Sequence, residues 1–401
     1  MDKPAFNGAR REGAAWLAQA LRESRADTLS TFAAYERALP GFAVPHRESL
    51  NPPLGELGHI GWFQEYWRAR NPAWRDGERA DPLGPRRAGV RADADDLYNS
   101  SEVVHARRWE LPMPGADVAR AELQAQLDAT LALLAEAGDD PDALYFFRLA
   151  LFHEDMHHEA ALYMAQHLGF PVPDPRWQAP VLPDAPAPLI QDAGTVLLGH
   201  VGTDFAFDNE RGAHRVALGE TAIDAQVLRW DAFLPFVEAG AYREPRWWTP
   251  AGLAWLGATG AVAPRYLRRE GSQWQARRAG RWEPIDPSRP ACHLTLFEAQ
   301  AWCRWANRRL PTEAEWERAA LASGPAFRWG DVWEWTASPF GAYPGFVPHP
   351  YRDYSAPWFA SRQVLRGASF MTQPRMRDVR YRNFFQAHRN DVAAGFRSCK
   401  V

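Results

Sequence analysis

The sequence predicts an α-helical N-terminal part joined, through a proline-rich stretch, to a loop-rich α+β domain. Three observations carry that reading. Apolar residues recur at helical spacing in four segments before residue 170. Seven prolines then fall between 171 and 188, a density that forbids a continued helix and favours an extended chain. Beyond them come short strand-like pieces, many turns and most of the 19 tryptophans, which suit large irregular cores.

The first helical segment, 11–37, carries Trp16, Leu17, Ala20, Leu21, Leu29, Phe32 and Ala33 on its apolar side. The second is LGHIGWFQEYWRARN, after the loop PGFAVPHRESLNPPLGE. The third, Asp117–Ala137, stops at Gly138 and Asp-Asp-Pro, and the fourth, 141–168, is closed by Gly169. Four such segments read as a four-helix bundle over 1–170, followed by a linker over 171–192 and a second domain over 193–401. In that domain TVLLGH and HRVALG read as strands, and helices are expected near 223–239 and 295–322. No internal repeat is present.

Composition narrows the function. With 46 Lys+Arg against 49 Asp+Glu the net charge is −3, so no basic excess points to nucleic acid. No run approaches eighteen apolar residues and the first residues lack an apolar targeting core, so neither a membrane nor export is expected, and the location read is cytoplasmic. Cys292, Cys303 and Cys399 are odd in number and lack CxxC spacing, which argues against a disulfide framework.

The chemical signal lies in His153-Glu-Asp-Met-His157-His158-Glu159. Positions four apart share a helix face, so His153 and His157 can grip one ion, with Leu149, Phe152, Met156 and Leu162 marking that face as inward. His158 turns about 100° further round the axis and is expected at the surface or behind the ligands. His59, on the second helix, offers a third imidazole. A histidine pair at this spacing is often ordinary structure; the third histidine is what favours a metal. Three neutral nitrogens suit Zn, Fe, Cu or Ni, and spacing does not choose among them.

In the second domain Thr312 and Glu315 form a capping box within RRLPTEAEWERAA. Then come Asp331-Val-Trp-Glu-Trp-Thr336, Leu365-Arg-Gly-Ala-Ser-Phe370 and Ala394-Gly-Phe-Arg397. In order, these resemble the signatures of the formylglycine-generating-enzyme (sulfatase-modifying factor, C-type-lectin-like) fold. Formylglycine generation needs a reactive cysteine pair, to which the three cysteines offer no counterpart, so the resemblance implies the fold without that activity.

Bundle and second domain together resemble the ergothioneine-synthase (sulfoxide synthase) family, which joins a DinB-type bundle carrying H-x-x-x-H-x-E to this fold. The resemblance implies a non-haem Fe(II) enzyme that uses O2 to attach a chalcogen to the imidazole of hercynine, with His59, His153 and His157 as ligands. It implies that Tyr351, in HPYRDYS, supplies a proton or electron and that Tyr354 touches the substrate imidazole, unless both merely pack a loop. Asn383 matches an asparagine near the trimethylammonium group, with Phe384 beside it. Arg389 falls in the same substrate-binding group.

Three departures bear on the donor. Phe385 stands where members using γ-glutamylcysteine have an aspartate. Asn99-Ser100-Ser101-Glu102 replaces the N-S-Y-Y of cysteine-using members, and Met156 replaces a glutamine. Charge partners for a zwitterionic thiol are depleted while Ser100, Ser101 and Glu102 offer hydrogen bonds, a pattern similar to the selenoneine-synthase branch with its selenosugar donor. The alternatives are an ergothioneine synthase taking cysteine or γ-glutamylcysteine, a zinc DinB-type thiol transferase, and a non-catalytic binding module with a structural metal.

Overall fold

The computed structural model of the chain describes residues 8–401. Its N-terminal part is built on four long helices: α2 (Ala14–Ala38), α3 (Pro53–Trp67), α5 (Ala116–Ala137) and α6 (Pro141–Leu168), with short α1 (Gly8–Arg11) and α4 (Ala94–Tyr98) beside them. α3 packs on α5 and α6, and α2 on α6 and α5. Helix α6 is delimited by local chemistry. Asp140 caps it by accepting from Ala143 N at 3.0 Å, Pro141 occupies its first position, and Gly169 ends it in the left-handed region at φ 89°.

The proline-rich stretch runs over the surface in extended conformation, broken by one 3-10 turn at Pro175–Trp177. It is anchored rather than loose: Trp177 and Leu182 are buried, and its end forms β1 (Leu189–Gln191). β1 pairs with β4 (Thr221–Ile223), which pairs in turn with β13 (Cys399–Lys400) and, through it, β8 (Arg308–Arg309). β2 (Gly194–Leu198) and β3 (His214–Leu218) make a hairpin, the two strands anticipated from their alternation. β5 (Leu267–Glu270), β6 (Gln273–Arg278) and β7 (Arg281–Pro284) form a meander. The central sheet has the order β11 (Asn383–Phe385), β10 (Gln363–Gly367), β9 (Trp333–Pro339) and β12 (Ala394–Gly395), the last parallel to β9.

Two helical expectations in this region are corrected. The segment 223–239 is helical only in α7 (Trp230–Glu238), because Ile223 is held as strand between Leu189 and Cys399. The segment 295–322 is two helices, α9 (Leu296–Trp305) and α10 (Glu313–Ser323), separated by Asn307 at φ 53°, β8 and Pro311. Each begins with its own capping box, Thr295/Glu298 and Thr312/Glu315. A further helix, α8 (Pro250–Thr259), went unread, although Thr249, Pro250 and Gly260 mark its ends.

One apolar core continues from helices to sheets. Phe152 of α6 packs on Phe205 and Phe207 at 5.2 and 5.6 Å, and Trp333 and Phe396 extend the cluster. Buried polar bonds lock the same seam. Arg10 pairs with Glu210 through two bonds of 2.7 and 2.8 Å, and Asp155 of α6 receives Ser24 at 2.7 Å and Arg375 at 2.6 and 2.7 Å. Helix α6 is therefore fixed against both parts of the molecule, which fixes its histidines.

Candidate metal centre

His59 on α3 and His153 and His157 on α6 bring one ring nitrogen each within 4.8 Å of one another. His59 and His153 approach closest, 3.1 Å between their Nε2 atoms. The rings are aimed by their other atoms. His59 Nδ1 donates to the carbonyl of Tyr98 at 2.8 Å, so its Nε2 carries a lone pair. His157 Nδ1 donates to Glu56 Oε2 at 2.7 Å. His153 is stacked flat on Phe63, with centroids 3.5 Å apart.

Local sequence explains this placement. Glu56 lies one turn before His59 on α3, so one helix supplies both a ligand and the partner of another ligand. Gly58 and Gly61 flank His59; a Cβ at Gly58 would lie 2.1 Å from the Tyr98 ring, and one at Gly61 1.9 Å from Gln126. Gly58 lets α4 come close enough for Tyr98's carbonyl to reach the imidazole, and Gly61 gives α5 the same close approach on its side of α3.

Burial sets the protonation. It drives the His59 pKa down to about 3, helped by the nearby His157, and holds His153 well below the ordinary histidine range. Burial alone would raise the Glu56 pKa, yet His157 outweighs it and brings the carboxyl down to about 2. Three imidazole nitrogens that converge, two of them on rings oriented by an acceptor behind (His59 and His157) and the third on a ring stacked on Phe63, form the kind of donor set a transition metal takes. Among the described residues no other group of three such side chains converges.

The site opens on a cavity of about 190 Å³ lined by Glu56, His59, Tyr98, Ser100, Arg108, His157 and Tyr351. Tyr351 stands edge-on to His153 at 6.3 Å and to Phe63 at 4.9 Å, and burial raises its phenol pKa above the usual value, with Asp353 adding to the rise. Tyr354 stacks on Phe207 at 4.5 Å, and its hydroxyl meets that of Tyr381 at 3.1 Å; both hydroxyls face the Met156 sulfur, at 3.9 and 3.5 Å.

The other singled-out residues divide. Ser100 lines the cavity, whereas Ser101 donates to Asp353 and Glu102 is exposed and outside the lining. Asn383 accepts from Phe384 N at 2.8 Å, and the Phe384 ring stacks on Phe340 at 4.0 Å with Tyr354 beside it at 5.9 Å. Arg389 lies over Phe385 at 5.2 Å and is held by two 2.6 Å bonds to Asp391. His158 turns away from the cavity but is not at the surface. It is buried, bonded to Thr31 at 2.9 Å and packed edge-on against Trp177. Glu56, the Tyr98 carbonyl and Arg108 were missed; only Glu56, at i,i+3 from His59, left a signal in sequence.

Residues 178–331 and 327–400 match the family of the sulfatase-modifying factor enzyme 1-like domain. The hercynine oxygenase of Mycolicibacterium smegmatis is 31% identical over 94% of this chain and 98% of its own. That of Mycobacterium tuberculosis is 30% identical over 87% and 90%. The chain belongs to the hercynine oxygenase family, with a sulfatase-modifying-factor domain at its C-terminal end. A formylglycine-generating enzyme of Streptomyces coelicolor is 31% identical over 32% of this chain and 46% of its own.

Within the C-terminal domain of this chain the four motifs converge on a knot, not a cavity. Glu334 receives Arg397 at 2.5 and 2.8 Å and Trp316 Nε1 at 2.7 Å, and Arg366 is bonded to Glu317. All four motifs contribute, and every charge there has a partner. Cys292, Cys303 and Cys399 are buried and free, and burial pushes their thiols up, Cys292 and Cys399 to about 12. No helix among the described residues is long and apolar enough to cross a membrane.

Proposed function

We propose that this chain is a non-haem Fe(II), O2-dependent enzyme that forms a carbon–chalcogen bond on the imidazole of hercynine. The observation that carries the reading is the cavity in which His59, His157 and Tyr351 meet, in a chain nearly coextensive with a protein named hercynine oxygenase. His59, His153 and His157 hold the ion, and the helices around them form a DinB-type bundle over 1–170, joined by 171–192 to the domain 193–401. Bound Fe(II) supplies O2 activation and a coordination position for the donor chalcogen.

The chain's own groups do the rest. Tyr351 keeps its proton at neutral pH and donates it at the reaction centre. The paired hydroxyls of Tyr354 and Tyr381, beneath Met156, present donors and acceptors to the substrate imidazole. Asn383 and the face of Phe384 receive the trimethylammonium end, which aromatic surfaces favour. Glu56 and Tyr98 keep the ligand rings in register.

The donor we propose is a neutral selenosugar, giving a C–Se bond. Phe385 offers no carboxylate, the charge of Arg389 is already met by Asp391, and Ser100 places a hydroxyl in the cavity. One observation favours a second reading, an anionic thiol such as cysteine or γ-glutamylcysteine: Arg108 lines the cavity, bonded among the described residues only to the Asn51 amide at 3.0 Å. The test is a single-tube competition on iron-loaded enzyme with limiting hercynine, O2 and equal selenoglucose, cysteine and γ-glutamylcysteine, read by mass spectrometry. Predominant C–Se product supports the selenosugar, and predominant C–S product supports the second reading. No hercynine adduct, with zinc rather than iron in protein purified without air, would turn the assignment to a thiol transferase. No adduct and no exchangeable metal would leave a binding module.

A further inference from the structure

We propose that a second cleft, distant in kind from the metal centre, binds a phosphorylated small molecule. It lies between the end of α6, the proline-rich stretch and the β5–β7 meander, and encloses about 400 Å³. Arg265, Arg277, Arg278 and Arg281 line it, and among the described residues none of the four has a carboxylate within ion-pair distance. Glu283 is the one carboxylate in the lining.

Little on the protein side neutralises these guanidinium groups at close range. Arg278 and Arg281 are directly opposed across the β6–β7 pair, where like charges repel. Burial lowers the Arg278 pKa and the charge of nearby Arg289 lowers it further, outweighing the opposite pull of Glu283 and Asp286. The hairpin tip cannot swing away to relieve this. Gln166 of α6 donates to Arg277 O at 2.7 Å and accepts from Ala279 N at 2.8 Å, and a Cβ at Gly280 would lie 2.1 Å from the Gly169 carbonyl.

A second observation is independent of charge. Tyr266 is 9% exposed, and its hydroxyl, buried in the cleft wall beside Arg265, meets no partner in hydrogen-bond geometry among the described residues, and neither does His293 Nδ1. Both residues are held at positive φ, 66° and 62°, with their rings edge to face at 4.9 Å. Strained non-glycine residues with unsatisfied buried polar atoms are what a preorganised ligand site retains. Guanidinium pairs recognise phosphoryl oxygens in two-point contact, and the apolar wall of Leu162, Phe170 and Met371 can receive the body that bears the phosphate.

The experiment is calorimetric titration of the full chain with AMP, inorganic phosphate and adenosine. We expect saturable binding of AMP, weaker binding of phosphate and none of adenosine. Arg278→Met and Arg281→Met should each weaken AMP binding by about tenfold or more, a step that one charge-assisted contact commands. Arg281 is exposed, so its variant decides the matter should Arg278→Met not fold. Absence of saturable AMP and phosphate binding at millimolar concentration would overturn the proposal. So would AMP binding unchanged in Arg281→Met, or adenosine binding as tightly as AMP.

Discussion

In the C-terminal sheet Glu334 and Arg397 are fully buried, and each is answered by an opposite charge or an indole N–H. In the helical part His59 and His153 are buried nearly as deeply, but burial keeps them neutral, their nitrogens face one another, and His59 and His157 line a cavity. The first cluster is closed: its groups satisfy each other and leave nothing to react. The second is open: His59 and His157 are hydrogen-bonded through their outer ring atoms, His153 is stacked on Phe63, and the inner nitrogens converge. The comparison separates the residues that hold the C-terminal domain together from those proposed to carry the chemistry. The long motifs belong to the closed cluster, whereas the open one needs three histidines and the groups behind them.

The sharpest way to break that comparison is to remove a ligand. His59→Ala, His153→Ala and His157→Ala should each lose bound metal and all O2-dependent turnover while unfolding near the parent's midpoint. Metal analysis and urea titration on one preparation check this. A His59→Ala protein that retains stoichiometric metal would refute the open cluster. The opposite outcome is expected of Glu334→Ala. Deleting one member of the buried pair leaves Arg397 uncompensated and should lower stability by about 3–5 kcal/mol. Whatever fraction remains folded should still take up metal.

The contrast also explains what was legible in the amino-acid order. The three histidines could be read because helix geometry places His153 and His157 on one face, and His59 on another apolar-periodic run. The acceptors behind them could not, since Tyr98 contributes a backbone carbonyl from a helix too short to show periodicity. In sequence His158 stays open between the surface and the interior, because angle alone says only that it leaves the cavity. Its burial depends on Thr31 and Trp177, which arrive from elsewhere in the chain. The strands β2 and β3 were readable from their alternation, but the split between α9 and α10 turns on a single left-handed Asn307 and the restart at Thr312.

Within the open cluster, Tyr351→Phe separates chemistry from architecture. The ring contacts with Phe63 and His153 remain, and only the hydroxyl is lost. Turnover should fall by about 10²–10⁴-fold, with metal content and hercynine affinity retained. A change confined to KM would make Tyr351 a packing residue.

A pH measurement sharpens the comparison from outside both clusters. His349, two residues before Tyr351, contacts the Tyr145 hydroxyl of α6 at 3.0 Å, and burial takes its pKa from 6.5 down to about 4 despite the opposing pull of Glu78. Above pH 6.5 the imidazole is neutral in both folded and unfolded chains. As the pH falls from 6.5 towards 4 only the unfolded chain takes up the proton, so stability is lost across that window. At pH 5 the loss is about 2 kcal/mol. His349→Gln should flatten the urea midpoint between pH 7 and pH 5 by that amount, and an unchanged slope would show that the imidazole is already protonated in the fold.

The smallest effect on the open cluster is expected one position from a proposed metal ligand. His157 and His158 are neighbours in sequence, but one reaches Glu56 and the cavity and the other reaches Thr31 on α2. His158→Asn removes a ring that packs against Trp177 and cannot place an acceptor at the same point, so Thr31 loses its partner in a buried site. The penalty should be about 1–3 kcal/mol of stability, the ordinary consequence of a buried hydroxyl left unsatisfied. Metal content and turnover per folded molecule should match the parent, because the rigid face of α6 that carries His153 and His157 is held independently by Asp155 and Glu159. Glu159 accepts from Trp333 at 2.8 Å, Ser369 at 2.7 Å and Thr372 at 2.8 Å. Loss of metal without loss of stability in His158→Asn would place this histidine in the open cluster and redraw its boundary.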